Sequence, residues 1–222
     1  MSKIKSDAHL YITEVGAPDP AVEALTSITK ATPPVVTPVA MPSGFASGDF
    51  AVITGTGEEM LDGYAFRAQN VTATTYELAD IDGTKFAAAI SGGSMQPFTV
   101  TAGGSMSSAC MAQITVTGQA PDSINLDDMC STETVLGDPK PPTFTFSGFV
   151  DNDSAGFHNL VDASVETPKP TVWALFDFSP AGGYIFGPAQ IGELTVAAGT
   201  KAGLQFSGAG VFTELPTYSW AL

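Results

Sequence analysis

A single helical window interrupts a chain that otherwise carries strand patterns along its whole length. Between Asp153 and Thr167 the apolar residues Phe157, Leu160, Val161 and Val165 recur at spacings of three and four. That period places them along one stripe of a helix. Asp153 or Ser154 is suited to cap the N-terminus, and Asp151 adds negative charge beside the amides left unpaired there. Pro168 and Pro170 stop the helix, because proline lacks the amide hydrogen and restrains the residue before it. The flanks, Thr143–Val150 and Thr171–Phe178, alternate Thr, Phe, Val and Trp in strand fashion. An all-β fold with one short helix follows, and a β-sandwich is the expected architecture.

The 222 residues suffice for one large β domain or a domain with a small insert, and 44% hydrophobic content supports a sizeable core. No apolar run approaches the roughly 20 residues that span a bilayer. The opening Met1–Asp7 has two lysines but no apolar stretch behind them, unlike a secretory signal. A chain made and kept inside a cell is expected to hold Cys110 and Cys130 as free thiols. The net charge of −15 opposes a protein that grips nucleic acid, which needs a basic stripe to displace counterions. It suits solubility at high concentration, or a surface that repels a polyanion.

Ala8–Val15 alternates, with Leu10 and Ile12 on one side and His9, Tyr11 and Thr13 on the other, as a half-buried strand does. From Ala31 to Gly93 the texture changes to short strands at Phe50–Thr54, Tyr64–Ala68 and Thr75–Leu78, separated by turns such as Asp62-Gly63. Residues 31–93 are therefore expected to form a small, separable β module, set into a sandwich built from 1–30 and 94–222. Strand signals resume at Phe98–Thr101 and Met111–Gly118, and later at Gly183–Phe186, Gly192–Val196 and Gly203–Gly208. In Thr171–Phe178 both faces are apolar, so that strand is buried on both sides or turns one face to a partner subunit. Gln119–Pro142 reads as a long, irregular, acidic connection carrying Asp122, Asp127, Asp128, Glu133 and Asp138. A connection of that length is usually functional or disordered.

No catalytic constellation emerges. Only His9 and His158 could serve a nucleophile as base, and no Gly-x-Ser-x-Gly elbow accompanies either. Two isolated cysteines do not make a zinc site. Asp151–Asp162 brushes against a calcium loop, but Ala155 replaces a ligand, Asp162 stands where Glu is needed and no helix precedes it. Helix capping accounts for the same residues. Asn70-Val-Thr72 is a sequon with no export context, and Gly55-Thr-Gly57 is a turn without the lysine of a phosphate loop. No enzyme activity, cofactor or metal is expected.

Two stretches carry a resemblance. Gly137–Asp151, the helix, Trp173–Phe178 and Gly192–Gly208 follow one another as strand, short helix, paired strand, hairpin and a late Leu-x-Phe-Ser-Gly strand. In this order they resemble the major tail tube protein of long-tailed, non-contractile bacteriophages, from about Met106 onward and with Ala8–Val15 as first strand. Thr26–Thr37, Gly48-Asp49, Ile53-Thr-Gly55, Leu61-Asp-Gly63 and Thr75–Asp80 look like a small β module that recurs in phage structural proteins as an insertion or decoration.

The resemblance implies a β-sandwich of tail-tube type whose copies form rings, six to a ring, stacked into a tube that conducts DNA during ejection. It implies edge strands used up by pairing around the ring, and a long loop bridging successive rings. Gln119–Pro142 takes that loop's place, with Asp122, Asp127, Asp128, Glu133 and Asp138 as candidate contact residues. Partners would be other copies and other phage tail proteins, with DNA passing unbound and no membrane involved; the net charge of −15, repeated around a ring, leads to the expectation of an electronegative lumen. The location would be the virion tail, assembled in the host cytoplasm. Other readings are a capsid decoration or distal tail protein, and a bacterial carbohydrate-binding or adhesion module.

Overall fold

The computed structural model describes residues 9–100, 104–117, 123–127, 132–136, 141–178, 183–199 and 203–219. In chain order the first strands are β1 (His9–Thr13), β2 (Glu23–Ile28), β3 (Val35–Pro38), β4 (Phe50–Thr54), β5 (Ala65–Gln69), β6 (Tyr76–Leu78), β7 (Ile90–Ser91) and β8 (Ser94–Phe98). Then come β9 (Met106–Thr117), β10 (Ser123–Asp127), β11 (Thr132–Leu136), β12 (Thr143–Phe149), helix α1 (Ala155–Val165), β13 (Val172–Asp177), β14 (Tyr184–Gly199), β15 (Gly203–Phe212) and β16 (Thr217–Ser219).

These strands make two closed antiparallel rings. In the larger, β13-β1-β9-β12-β15-β14 run in order and β14 pairs back with β13, while β16 adds to β14. In the smaller, β3-β6-β5-β4-β8-β2 close through β2–β3, and β7 adds to β2. Closure leaves few unpaired edges in either ring. The smaller barrel's paired strands thus run from Glu23 to Phe98, beyond both ends of the expected 31–93 span.

The larger barrel is flattened into two layers because its long strands bend. β9 pairs with β1 over Met106–Cys110 and with β12 from Met111 onward, with a register shift where it changes partner. β14 pairs with β13 over Tyr184–Ala189 and with β15 from Ala189 to Gly199, with a shift between Ile191 and Leu194. Such bulges let one strand serve two layers. Gly183–Phe186 and Gly192–Val196, expected as two strands, are therefore one continuous strand. Pro188 sits inside it opposite Trp173, where its missing amide hydrogen suggests a break to sequence reading.

Between the layers lies a core rich in phenylalanine. Phe144 meets Phe176 at 4.9 Å and Phe212 at 5.0 Å between ring centroids. On β15 the residues opposite Phe144 and Phe146 are Gly210 and Gly208. A Cβ at Gly210 would come within 2.3 Å of the Phe144 ring, so the rings lie flat over the glycines and cover their backbone.

Helix α1 falls inside the expected window. Ser154 is the N-cap, accepting from the Phe157 amide at 3.3 Å while its hydroxyl donates to the Ser108 carbonyl at 2.9 Å. Phe157, Leu160 and Ala163 are buried against the larger core, with Phe157 5.1 Å from Phe206. Val165, expected on the buried stripe, is 68% exposed. At about 100° per residue, Gly156, Leu160, Ala163 and Ser164 define the inner face, and Val165 rotates off it.

Candidate assembly surface and the seam between the barrels

Strand β13 resolves the two-faced apolar pattern. Val172, Ala174 and Phe176 enter the larger core, whereas Trp173 and Leu175 join a second cluster shared with the smaller barrel. In that seam Phe50 and Phe98, from β4 and β8, pack on Tyr184, Phe186 and Trp173, with centroid separations of 4.8–5.7 Å. Polar contacts frame the apolar patch. Arg67 is 2.8 Å from Asp177, and its guanidinium lies 5.4 and 5.5 Å from the Phe50 and Tyr184 ring centroids. The Tyr184 hydroxyl donates to the Ala65 carbonyl at 3.0 Å, and the Ala65 amide to Thr217 Oγ1 at 2.8 Å. The second apolar face of β13 therefore meets the chain's own smaller barrel.

Asp49 is fully buried where the smaller barrel hands the chain on towards β9. One carboxylate oxygen accepts from the Val100 amide at 2.9 Å and the other from the Ala46 amide at 2.7 Å. Burial raises its pKa, and the two amides only partly offset this. The folded chain thus holds this proton more tightly than the unfolded chain. The resulting stability is complete below the usual 3.8 and is lost as pH rises through the folded value. Asp49→Ala, which strands both amides, is expected to cost about 1–3 kcal/mol. Urea denaturation should show a larger deficit against wild type in mildly acidic buffer than at neutral pH. An unchanged midpoint would contradict the assignment.

Two of the expected contact residues, Asp127 and Glu133, fall on a feature that sequence reading missed. Gln119–Pro142 is not irregular throughout, for Ser123–Asp127 and Thr132–Leu136 pair as a hairpin. Asp127 ends β10 opposite Thr132, and Glu133 on β11 lies opposite Leu126. Asp122, Asp128 and Asp138 lie outside the described residues. The signal was present in Ile124, Leu126, Thr134 and Val135, strand formers that the surrounding acids mask. Among the described residues neither strand pairs with either barrel, and a lone two-stranded hairpin is marginal in water without a further surface.

The second layer of the larger barrel consists of the later part of β9, then β12, β15 and the later part of β14. Among the described residues, β9 from Gln113 to Thr117 pairs only with β12, and β14 from Leu194 to Gly199 only with β15. This four-stranded layer is therefore bounded by two open edges, a ready template for strand pairing with another chain. Its outer face carries Gln113, Thr145, Ser147, Glu193, Thr195 and Ser207, all beside a shallow depression over β15. At one end Phe149, Val196 and Leu204 are 48–53% exposed.

A separate cleft of about 820 Å³ lies between the Thr13–Pro20 turn, the outer side of α1 and Trp173. Glu14, Asp19 and Asp162 line it; Asp19 accepts from the Trp173 indole at 3.0 Å, and His158 Nε2 is 2.7 Å from the Asn152 carbonyl. Both contacts brace the turn and the helix end. Among the described residues no group of His, Cys, Asp and Glu is placed to hold a metal ion, and no helix is long and apolar enough to cross a membrane. No protein-family model matches the chain, and no curated protein sequence matches it.

Proposed function

We propose that the chain is a structural virion protein whose copies assemble into stacked rings of a phage tail tube that conducts DNA. The observation that carries this reading is the pair of edges on one four-stranded layer that no strand among the described residues covers. An exposed edge is a liability in a monomer, and a soluble protein ordinarily blunts it with charge, proline or a covering segment. Here neither Gln113–Thr117 nor Leu194–Gly199 contains a charged residue or a proline. Pairing of the β9 edge of one copy with the β14 edge of the next is a heterologous interface, and where its rotation closes it repeats around a ring without leaving an edge behind.

The hairpin of β10 and β11 supports stacking. It leaves the larger barrel between β9 and β12, the strands of the open layer, and needs a surface to rest on. A neighbouring ring supplies one. In this reading the partners are other copies and further tail proteins, and the place of assembly is the host cytoplasm. Negative-stain microscopy of the purified protein over a concentration series tests the proposal. Rings or tubes are expected; particles that stay monomeric at every concentration would overturn it.

A further inference from the structure

We propose that Cys110 is a reactive thiol, held as a thiolate by His9 and open to exchange with small disulfides. This holds whether or not copies assemble into rings. Strand register and one orphaned nitrogen carry it.

At the start of β1, His9 stands opposite Asp177 of β13 on one side and opposite Cys110 of β9 on the other. The next row along the sheet is Phe176, Leu10 and Ala109, and all three belong to the larger core. Opposite residues of an antiparallel pair share a face, with Cβ atoms about 4.5–5.5 Å apart, and successive residues alternate between faces. Asp177, His9 and Cys110 therefore occupy one row on the other face, the side of the smaller barrel. His9 and Cys110 lie far apart in the chain, and only the pairing of β1 with β9 brings them into register. The sequence offered a base and a thiol but not their juxtaposition.

The row fits a proton transfer from Cys110 to His9. His9 Nδ1 is buried and has no hydrogen-bond partner. A buried polar atom in that state is rare and costly, and a proton from the residue opposite satisfies it. Transfer leaves an imidazolium flanked in register by two anions, the Asp177 carboxylate and the Cys110 thiolate. Arg67, 2.8 Å from Asp177, extends the alternation of charge by one more group. An adjacent imidazolium favours the thiolate over the thiol. The other titratable groups about the row are Tyr11 on β1 and Tyr184 on β14, which pairs with Asp177. Burial raises the Tyr11 pKa, and the Tyr184 hydroxyl donates to the Ala65 carbonyl, so neither takes the proton instead.

His9 as a whole is partly exposed, which admits a small reagent to the row. The chemistry is thiol–disulfide exchange. The Cys110 thiolate attacks one sulfur of the disulfide and a new S–S bond forms. The old S–S bond breaks, and its second sulfur leaves as a thiolate. Cys110 is oxidised to a mixed disulfide, the reagent is reduced, and no further oxidant is needed.

Exchange with a dipyridyl disulfide, followed by the released thiopyridone, tests this in the Cys130→Ser chain, where Cys110 is the one remaining thiol. The rate against pH reads the midpoint of thiolate formation. That midpoint should lie below the value of about 8.5 for an ordinary thiol. Adding His9→Phe should return it to the ordinary value and slow exchange at neutral pH about two- to threefold, since the lost thiolate is partly offset by its greater nucleophilicity. His9→Asn should act alike, and it separates the loss of the base from a change in packing. A midpoint at the ordinary value with His9 present would overturn the proposal. So would a profile that neither His9 variant moves, or a folded chain from which no thiopyridone is released. If both variants fail to fold, the midpoint of the His9-containing chain decides by itself.

Discussion

Replacing residues 31–93 with a short flexible linker is expected to yield aggregated protein, although the change of texture along the chain invites the view that this module is separable. The cut removes β3 to β7 and leaves β2 and β8 without the ring that pairs them. It also removes Phe50, Val52 and Ala65 from the seam, which bares Leu175 and Tyr184 and leaves Trp173 and Phe186 covered only by Phe98. Re-exposing a large apolar side chain costs about 1.5–3 kcal/mol. Two bared side chains and two partly uncovered ones together approach the lower end of the roughly 5–15 kcal/mol that holds a whole domain folded. Loop closure is only a weak function of loop length and offsets none of this. The contiguous patch created is of the kind that drives association. The measurement is the soluble fraction on expression, followed by thermal denaturation of whatever is soluble. Adding Leu175→Thr and Phe186→Ser to the excised chain should recover solubility, because these substitutions make the bared patch polar. A soluble, cooperatively folding excised chain without them would show that the seam contributes little.

Phe144 and Phe149 lie on the same strand and should separate stability from assembly. Phe144 is fully buried among Phe146, Phe176 and Phe212, and covers Gly210. Phe144→Ala leaves a cavity between the layers and a bare glycine strand, at an expected cost of about 3–5 kcal/mol. Phe149 is 50% exposed at the end of the open layer. Phe149→Ala should change the unfolding midpoint little, because an exposed residue gives up little buried surface. If the end of the layer meets a neighbouring copy, the same substitution lowers the yield of tubes. Urea denaturation and microscopy on the two variants read these effects apart. Equal destabilisation by both would mean that Phe149 is part of the core.

The local pattern of the chain carried much of this fold. Alternation in His9–Thr13 put Leu10 and Ile12 into the core, and Phe50–Thr54 was legible as a strand to the residue. The helix was legible because only one window changes period from two to between three and four, and because Ser154 and Pro168 mark its ends. The β10–β11 hairpin was hidden by acids interspersed among its strand formers, which give it the texture of a loop. The unity of β14 was hidden by Gly187-Pro188, a pair that usually breaks a strand. Here Pro188 is tolerated because its pair with Trp173 exchanges no ladder bond: the Trp173 amide turns away to donate to Thr13 Oγ1, and the Pro188 carbonyl accepts from the Thr213 amide.

By itself the sequence determined that the protein is all-β with one capped helix, and that both faces of one strand, Thr171–Phe178, are apolar and need covering, by the chain itself or by a partner. These are consequences of period, capping and breaker residues, which act over a few neighbouring positions. Only the tertiary structure decided what covers the second face of that strand. An apolar face specifies that water must be excluded and not which surface excludes it, since burial depends on area and not on identity. The same holds for the open edges of β9 and β14. A strand's sequence says which side chains point which way, but whether its backbone groups find a partner depends on where distant strands of the chain are placed.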